Sequence, residues 1–224
     1  MSSSINILST KKLSTSQADY LSKVGLLQHI DIIQTSSVFD FIEPIHPNII
    51  FSSFKGCQYG LTALGESAKK YNYFCVGQKS KTLLEQNHLH VEFCANYSKD
   101  LTDKILITNS YTYITGSKRL NTIPSFLTKN NINFEEIIAY KSEANEKITK
   151  GKQDIILWFS PGGIKAYYNQ NKLDADTEHY CIGTTTKKAL QTQQPTIQKS
   201  HIHSLLKPST DDLIELVCSN TIIK

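Results

Sequence analysis

Short apolar runs alternate with amphipathic stretches along the whole chain. Ile5–Ser9 reads as a strand, and Ser14–Leu27 as a helix capped near Ser14 or Thr15 and ended around Gly25. Asn48–Ser53 and Tyr73–Gly77 read as strands, each followed by a helix-like segment. Val91–Ala95, Tyr113–Thr115, Ile155–Ser160, Tyr180–Gly183 and Ile197–His201 are further strand candidates. Strand followed by helix, repeated, is the sequence form of parallel α/β units.

An internal repeat sharpens this pattern. Phe51-Ser52-Ser53-Phe54-Lys55-Gly56 lines up with Trp158-Phe159-Ser160-Pro161-Gly162-Gly163. Gly77 follows Ser53 by 24 residues and Gly183 follows Ser160 by 23, and each opens a helix reaching Leu84 or Leu190. A third pair, Asp100-Leu101 and Asp212-Leu213, opens another helix in each copy. The chain therefore contains one α/β half twice. Ile30–Val38 and Asn133–Lys141 are extended segments flanking the first copy. They predict a discontinuous domain of residues 1–30 with 145–224 and an inserted domain of residues 39–134. Residues 31–38 and 135–144 would join the two as a two-stranded antiparallel ladder.

Composition narrows the function classes. Of 224 residues, 39% are hydrophobic and 20% charged, enough apolar surface for packed cores. The first residues have neither basic flank nor long apolar stretch, and no run approaches the length of a membrane span, so a cytoplasmic chain is expected. A net charge of +4 without a basic block speaks against a nucleic-acid surface and leaves room for a small anion. Five cysteines without a CxxC pair read as buried free thiols. His88-His90 and His201-His203 read as solvated edge histidines without acidic partners, so no metal is assigned.

In open parallel sheets, ligands bind beyond the carboxyl ends of the strands. There the repeat places Ser52, Ser53, Lys55 and Gly56 in one half, and Ser160, Gly162 and Gly163 in the other. Gly77-Gln78-Lys79-Ser80 and Gly183-Thr184-Thr185-Thr186 repeat the device. Hydroxyls, glycine N–H groups and lysine at helix starts describe a cleft for carboxylates or phosphates. There is no GxGxxG, no GxxxxGK[ST], no GxSxG and no acidic pair after the first strand. Chemistry would have to rest on positioning and hydrogen bonding.

The blocks Ile50-Phe51-Ser52-Ser53, Val76-Gly77-Gln78-Lys79-Ser80, Phe159-Ser160-Pro161-Gly162-Gly163-Ile164 and Ile182-Gly183-Thr184-Thr185-Thr186, closing with Pro208-Ser209-Thr210, resemble the uroporphyrinogen-III synthase family. The resemblance implies two Rossmann-like or flavodoxin-like α/β domains joined by a two-stranded ladder, with the substrate in the cleft. It implies a monomeric enzyme without cofactor that cyclises linear hydroxymethylbilane, inverting the last pyrrole ring and losing water. The family's scheme passes through an azafulvene cation and a spiro intermediate. Residue by residue, the family's threonine after Val-Gly corresponds to Ser80, and the pair after Ile-Gly to Thr185 and Thr186. Ile164 closes the Ser-Pro motif, Lys11 stands for an arginine after the first strand, and Lys79 follows the first Val-Gly. The arginine expected before Gly116 is Thr115, with Lys118 and Arg119 close behind. The tyrosine implied to help the hydroxyl leave aligns at Ala166, which makes the adjacent Tyr167 the catalytic candidate. Two rival readings are a non-catalytic module that senses tetrapyrroles or anions, and a sugar-phosphate or nucleotide-binding α/β enzyme.

Overall fold

A computed structural model describes residues 4–145, 151–172 and 174–222. The chain runs β1 (Asn6–Ser9), α1 (Thr15–Leu21), β2 (Leu26–His29) and β3 (Ile33–Ser37). It continues through β4 (Asn48–Phe51), α2 (Phe54–Leu64), β5 (Asn72–Val76), α3 (Gln78–Gln86), β6 (Val91–Ala95) and α4 (Ser98–Thr102). Then come β7 (Tyr111–Gly116), α5 (Thr122–Lys129) and β8 (Phe134–Ala144). The last stretch holds β9 (Ile155–Trp158), α6 (Pro161–Tyr168), β10 (Glu178–Cys181), α7 (Thr184–Gln193), β11 (Ile202–Ser204) and α8 (Thr210–Ile222).

Two compact units divide the chain, Met1–Gln34 with Glu143–Lys224, and Thr35–Ser142. The first unit has the strand order β11-β10-β9-β1-β2, with every neighbouring pair parallel. The second is built on the order β3-β8-β7-β4-β5-β6, parallel from β8 to β6. Setting β3 aside, the two orders are the same after a circular permutation: β7 and β8 occupy the places that β1 and β2 hold in the first unit. The strand and helix that open the chain thus belong to the sheet of the second repeat copy.

Burial explains why the strands read as continuous apolar runs. Both β4 and β9 are buried at every position, as a parallel strand covered by helices on both faces must be. In β9, Ile155 and Leu157 pack with Tyr180, Leu213 and Val217, while Ile156 and Trp158 pack with Ile164, Tyr167 and Leu190. Cutting any of these large side chains to alanine costs about 2–5 kcal/mol.

Three local expectations need correction. The helix after Ser14 stops at Leu21, and Leu26–His29 is strand β2. The cap expected near Ser14 or Thr15 is Ser14, whose Oγ accepts from the Gln17 N–H at 3.3 Å while the Gln17 side chain accepts from the Ser14 N–H. Gly25 is no helix stop but a point of close approach: a Cβ there would lie 2.5 Å from the Ile5 carbonyl oxygen, and the neighbouring Leu26 N–H donates to that oxygen. The strand expected at Ile197–His201 is displaced, because Lys199–His201 form a 3-10 turn and Ile202 begins β11 with its side chain in the core. Two of the four edge histidines do have acidic partners. His203 Nε2 lies 2.8 Å from Glu178 Oε2, and His90 Nε2 lies 3.5 Å from Glu92.

His179 is the buried polar group that composition does not reveal. It is 1% exposed, and Trp158 Nε1–H donates to its Nδ1 at 3.1 Å. Its Nε2 has no hydrogen-bond partner among the described residues. Burial pulls its pKa down to about 4, and protonating Nδ1 would break the Trp158 bond. The unfolded chain binds this proton near pH 6.5 and the folded chain only near 4, so stability is complete above 6.5 and drains as pH falls through that window. Urea unfolding at pH 7.5 and pH 5 should differ by about 2 kcal/mol through this group. The His179→Gln chain, compared with the parent at both pH values, should lose that increment.

Candidate functional site

In each sheet the strand order reverses at one place, and the loops leaving the two strands there diverge. In the Thr35–Ser142 unit it falls between β4 and β7, and in the other unit between β9 and β1. Ser52 and Ser53 leave β4, and Ser160 leaves β9, so the repeat read from sequence lands on both crossovers.

The two capping serines match closely. Ser53 (φ −155°, ψ 152°) and Ser160 (φ −162°, ψ 155°) each accept from a glycine N–H three residues on, Gly56 and Gly163, both at 3.1 Å. Both glycines are buried. The cap uses serine lone pairs and leaves each hydroxyl proton to be placed elsewhere. Gly162 is exposed at the second amide of α6, behind Pro161, which has no N–H. Lys55 donates to Thr35 Oγ1 at 3.1 Å from an otherwise exposed position.

The second device is less symmetric than the sequence suggests. Gly77 has φ 87°, in the left-handed region that favours glycine, whereas Gly183 is extended at φ −173°. Ser80 is 1% exposed and donates inward to the Val76 carbonyl at 2.9 Å, so its hydroxyl holds the helix start to β5. Thr186 is also buried, while Lys79 and Thr185 face solvent. Ile164 packs its side chain in the core, and its N–H closes the first turn of α6 on the Ser160 carbonyl at 3.3 Å. Lys11 is exposed over the Phe159 ring, 5.5 Å from its centroid. Beside it, sequence reasoning missed Thr10, which is buried at the crossover and donates to the Leu157 carbonyl at 2.7 Å.

The β4–β7 crossover holds a cavity of about 170 Å³. Ser52, Ser53, Tyr113, Lys118, Arg119 and Tyr140 are among its lining residues. Ser52 Oγ and Tyr113 OH are 2.7 Å apart. Arg119 forks onto Glu136, Nε to Oε1 at 2.6 Å and Nη2 to Oε2 at 2.8 Å, and this bond raises its pKa further. Tyr113 and Glu136 escaped the sequence reading. Strand pairing was the missing signal, since β7 lies beside β4 only in the folded sheet.

Tyr167 stands apart from these residues. It is 7% exposed, meets the Trp158 ring edge-on at 5.3 Å, and belongs to the core. Seven residues of helix separate it from Ser160, about 10 Å of rise. It borders a cavity of about 500 Å³ with Gly151, Lys152 and Gln153, which precede β9. That is the amino end of the strand. Tyr168 is half-buried, and desolvation raises its pKa.

Burial also keeps the thiols protonated: Cys57 and Cys181 are pushed up to about 12. They are no nucleophiles at neutral pH. Among the described residues, no group of three His, Cys, Asp or Glu side chains could hold a metal. What the crossovers offer is hydrogen-bond donation and positive charge.

The family model described as Uroporphyrinogen-III synthase HemD matches residues 24–200. The fold is similar to that of uroporphyrinogen-III synthetase from Helicobacter pylori 26695, at 15% identity and TM-score 0.74 over 96% of this chain and 99% of that one. A mutant uroporphyrinogen III synthase from the extremely thermophilic bacterium Thermus thermophilus is similar at 11% identity and TM-score 0.65, covering 98% of this chain and 100% of that one. The wild-type protein of that organism, in a second crystal form, gives 13% identity and TM-score 0.51, with 97% of each chain covered. At such identities the likeness to solved structures shows the fold alone. Comparison with curated protein sequences gives no match.

The caps can be tested by stability. Ser53→Ala and Ser160→Ala should each lower the unfolding free energy by about 1 kcal/mol in urea titrations. Gly77→Ala should cost a comparable amount through backbone strain, and Gly183→Ala should cost less.

Proposed function

The chain belongs to the uroporphyrinogen-III synthase family, and we propose that the strand crossover of each unit carries groups that bind acidic arms of hydroxymethylbilane. The family closes that linear tetrapyrrole with inversion of the terminal ring and loss of water, whereas the unaided reaction closes without inversion. The task is one of selected geometry: the substituted carbon of the last ring must be attacked before the free one. Holding the reacting ends in that arrangement contributes several kcal/mol through proximity and orientation. Fixed donors that grip acetate and propionate arms suit this work, and the reading calls on no cofactor.

The duplicated cap carries the site assignment, with Ser53–Gly56 and Ser160–Gly163 bonded at the same distance in the same backbone conformation. Exposed Lys11, Lys55, Lys79, Gly162 and Thr185 stand at strand ends where a carboxylate can meet them. Ser80, Thr186 and Ile164 support the helix starts from beneath. The same proposal takes residues 39–134 as inserted between the two parts of a discontinuous domain. Support for a joining antiparallel ladder comes from two bonds, Val38 N–H to the Ala139 carbonyl at 3.0 Å and Asn145 N–H to the Ile32 carbonyl at 2.7 Å. Partner positions rise along one segment as they fall along the other. A cytoplasmic monomer that binds neither nucleic acid nor membrane completes the reading; among the described residues no helix is long and apolar enough to cross a membrane.

Freshly prepared hydroxymethylbilane tests the activity, with the isomers separated after oxidation to porphyrins. Type III product formed well above the spontaneous rate is the expected result, and type I alone would overturn the proposal. Because Tyr167, on α6, is packed in the core beside the amino end of β9, Tyr167→Phe should keep kcat/KM within about 2-fold and leave the isomer ratio unchanged. A shift of that ratio toward type I would restore Tyr167 to the chemistry.

A further inference from the structure

Arg119 has five N–H donors. Three are placed: two on Glu136 and one, from Nη1, on Asn121 Oδ1 at 3.1 Å. Two remain, in a plane that the Glu136 fork fixes. Lys118, adjacent in the chain, is exposed and forms no ion pair among the described residues. The Ser52–Tyr113 pair commits one of its two hydroxyl protons to the 2.7 Å bond between them and leaves the other for a ligand. All four residues line the same cavity at the β4–β7 crossover.

The rim has a different character. Leu120 lines the cavity and is 76% exposed, and Tyr97, next to the lining residue Ser98, is 72% exposed. Large apolar side chains in water beside two cations do not suit a bare inorganic anion. They suit an acid carried on a flat apolar ring. The cavity, at about 170 Å³, is smaller than the ~300 Å³ at which whole small-molecule sites begin, so one arm enters and the ring stays at the rim.

We propose that the β4–β7 cavity is a subsite for one carboxylate arm of a pyrrole. Arg119 and Lys118 bind the arm, the Ser52–Tyr113 pair donates to it, and the ring rests on Leu120 and Tyr97. Glu136 is a positioning residue that holds the guanidinium plane. Naming the arm as one from hydroxymethylbilane rests on the function proposed above; the subsite itself is defined by its chemistry.

Three measurements on the full chain test it. In steady-state assays with hydroxymethylbilane, Lys118→Ala should raise KM several-fold, and the double variant Arg119→Gln/Glu136→Gln should raise it roughly 10- to 100-fold. In both, kcat should stay within about 2-fold. The double variant removes both charges of the fork, so no orphaned carboxylate confuses the result. Lys165→Ala, on the exposed face of α6, serves as the control and should change nothing. Uroporphyrin III binding, followed by its fluorescence, should weaken in the same order, and Leu120→Ser should weaken it as well. If uroporphyrin binding falls as expected while the parent makes no type III product, the functional reading fails and the subsite stands. Unchanged KM and unchanged uroporphyrin affinity in Lys118→Ala and in a folded double variant would overturn the subsite. Equal thermal protection by inorganic sulfate and by uroporphyrin III would also overturn it, because a bare anion site needs no ring.

Discussion

A parallel strand buried on both faces must hand its chain to a helix at its carboxyl end, and this constraint shapes both units. β4 and β9 run parallel to the strands that follow them, so their connections cannot be tight hairpins. Each connection crosses over through a helix and returns to the amino end of the sheet, where the next parallel strand begins. Helix starts, with their unsatisfied N–H groups, therefore collect at one end of each sheet. Ser53 and Ser160 satisfy one such group apiece and leave the rest directed outward. The positive partial charge of these helix starts, on which the proposed anion binding rests, is a consequence of the topology before any charged side chain is added.

The charges added there are few and differently held. Arg119 is clamped by Glu136, Lys55 leans on Thr35, and Lys11 lies over Phe159. A clamped guanidinium recognises a carboxylate with little loss of side-chain freedom, while exposed lysines contribute attraction screened by water. This mixture fits a substrate whose flexible acidic arms must be sorted rather than activated. The buried thiols, raised by desolvation, and the neutral His179 beneath the α6 layer belong to the cores. Their protonation bears on stability.

The duplication was legible because it left matching residues at matching intervals. Phe51-Ser52-Ser53 and Trp158-Phe159-Ser160 carry the same instruction: a buried strand ends and a serine caps the helix. The α/β class followed from the alternation of apolar runs with amphipathic ones. Less legible was the β2 strand, since Gly25 before Leu26 reads equally as a helix stop and as a close approach of two backbones. Ser80 and Thr186 illustrate a related ambiguity. A hydroxyl early in a helix has the same sequence appearance whether it turns out toward a ligand or in toward its own strand, and the structure turns Ser80 in.

Local pattern by itself determined most of the strands, the serine caps, the repeat and the family, because each depends on residues near one another in the chain or on their order along it. Which side chains meet was decided only by the sheet. β7 lies against β4, so Tyr113 reaches Ser52 across 61 residues of chain, and β8 lies against β7, so Glu136 reaches Arg119. The seven-residue run of helix that carries Tyr167 away from Ser160 likewise has meaning only once the strand beneath it has two distinguishable ends. Order along the chain names the parts; pairing of strands, which no local pattern encodes, chooses their neighbours.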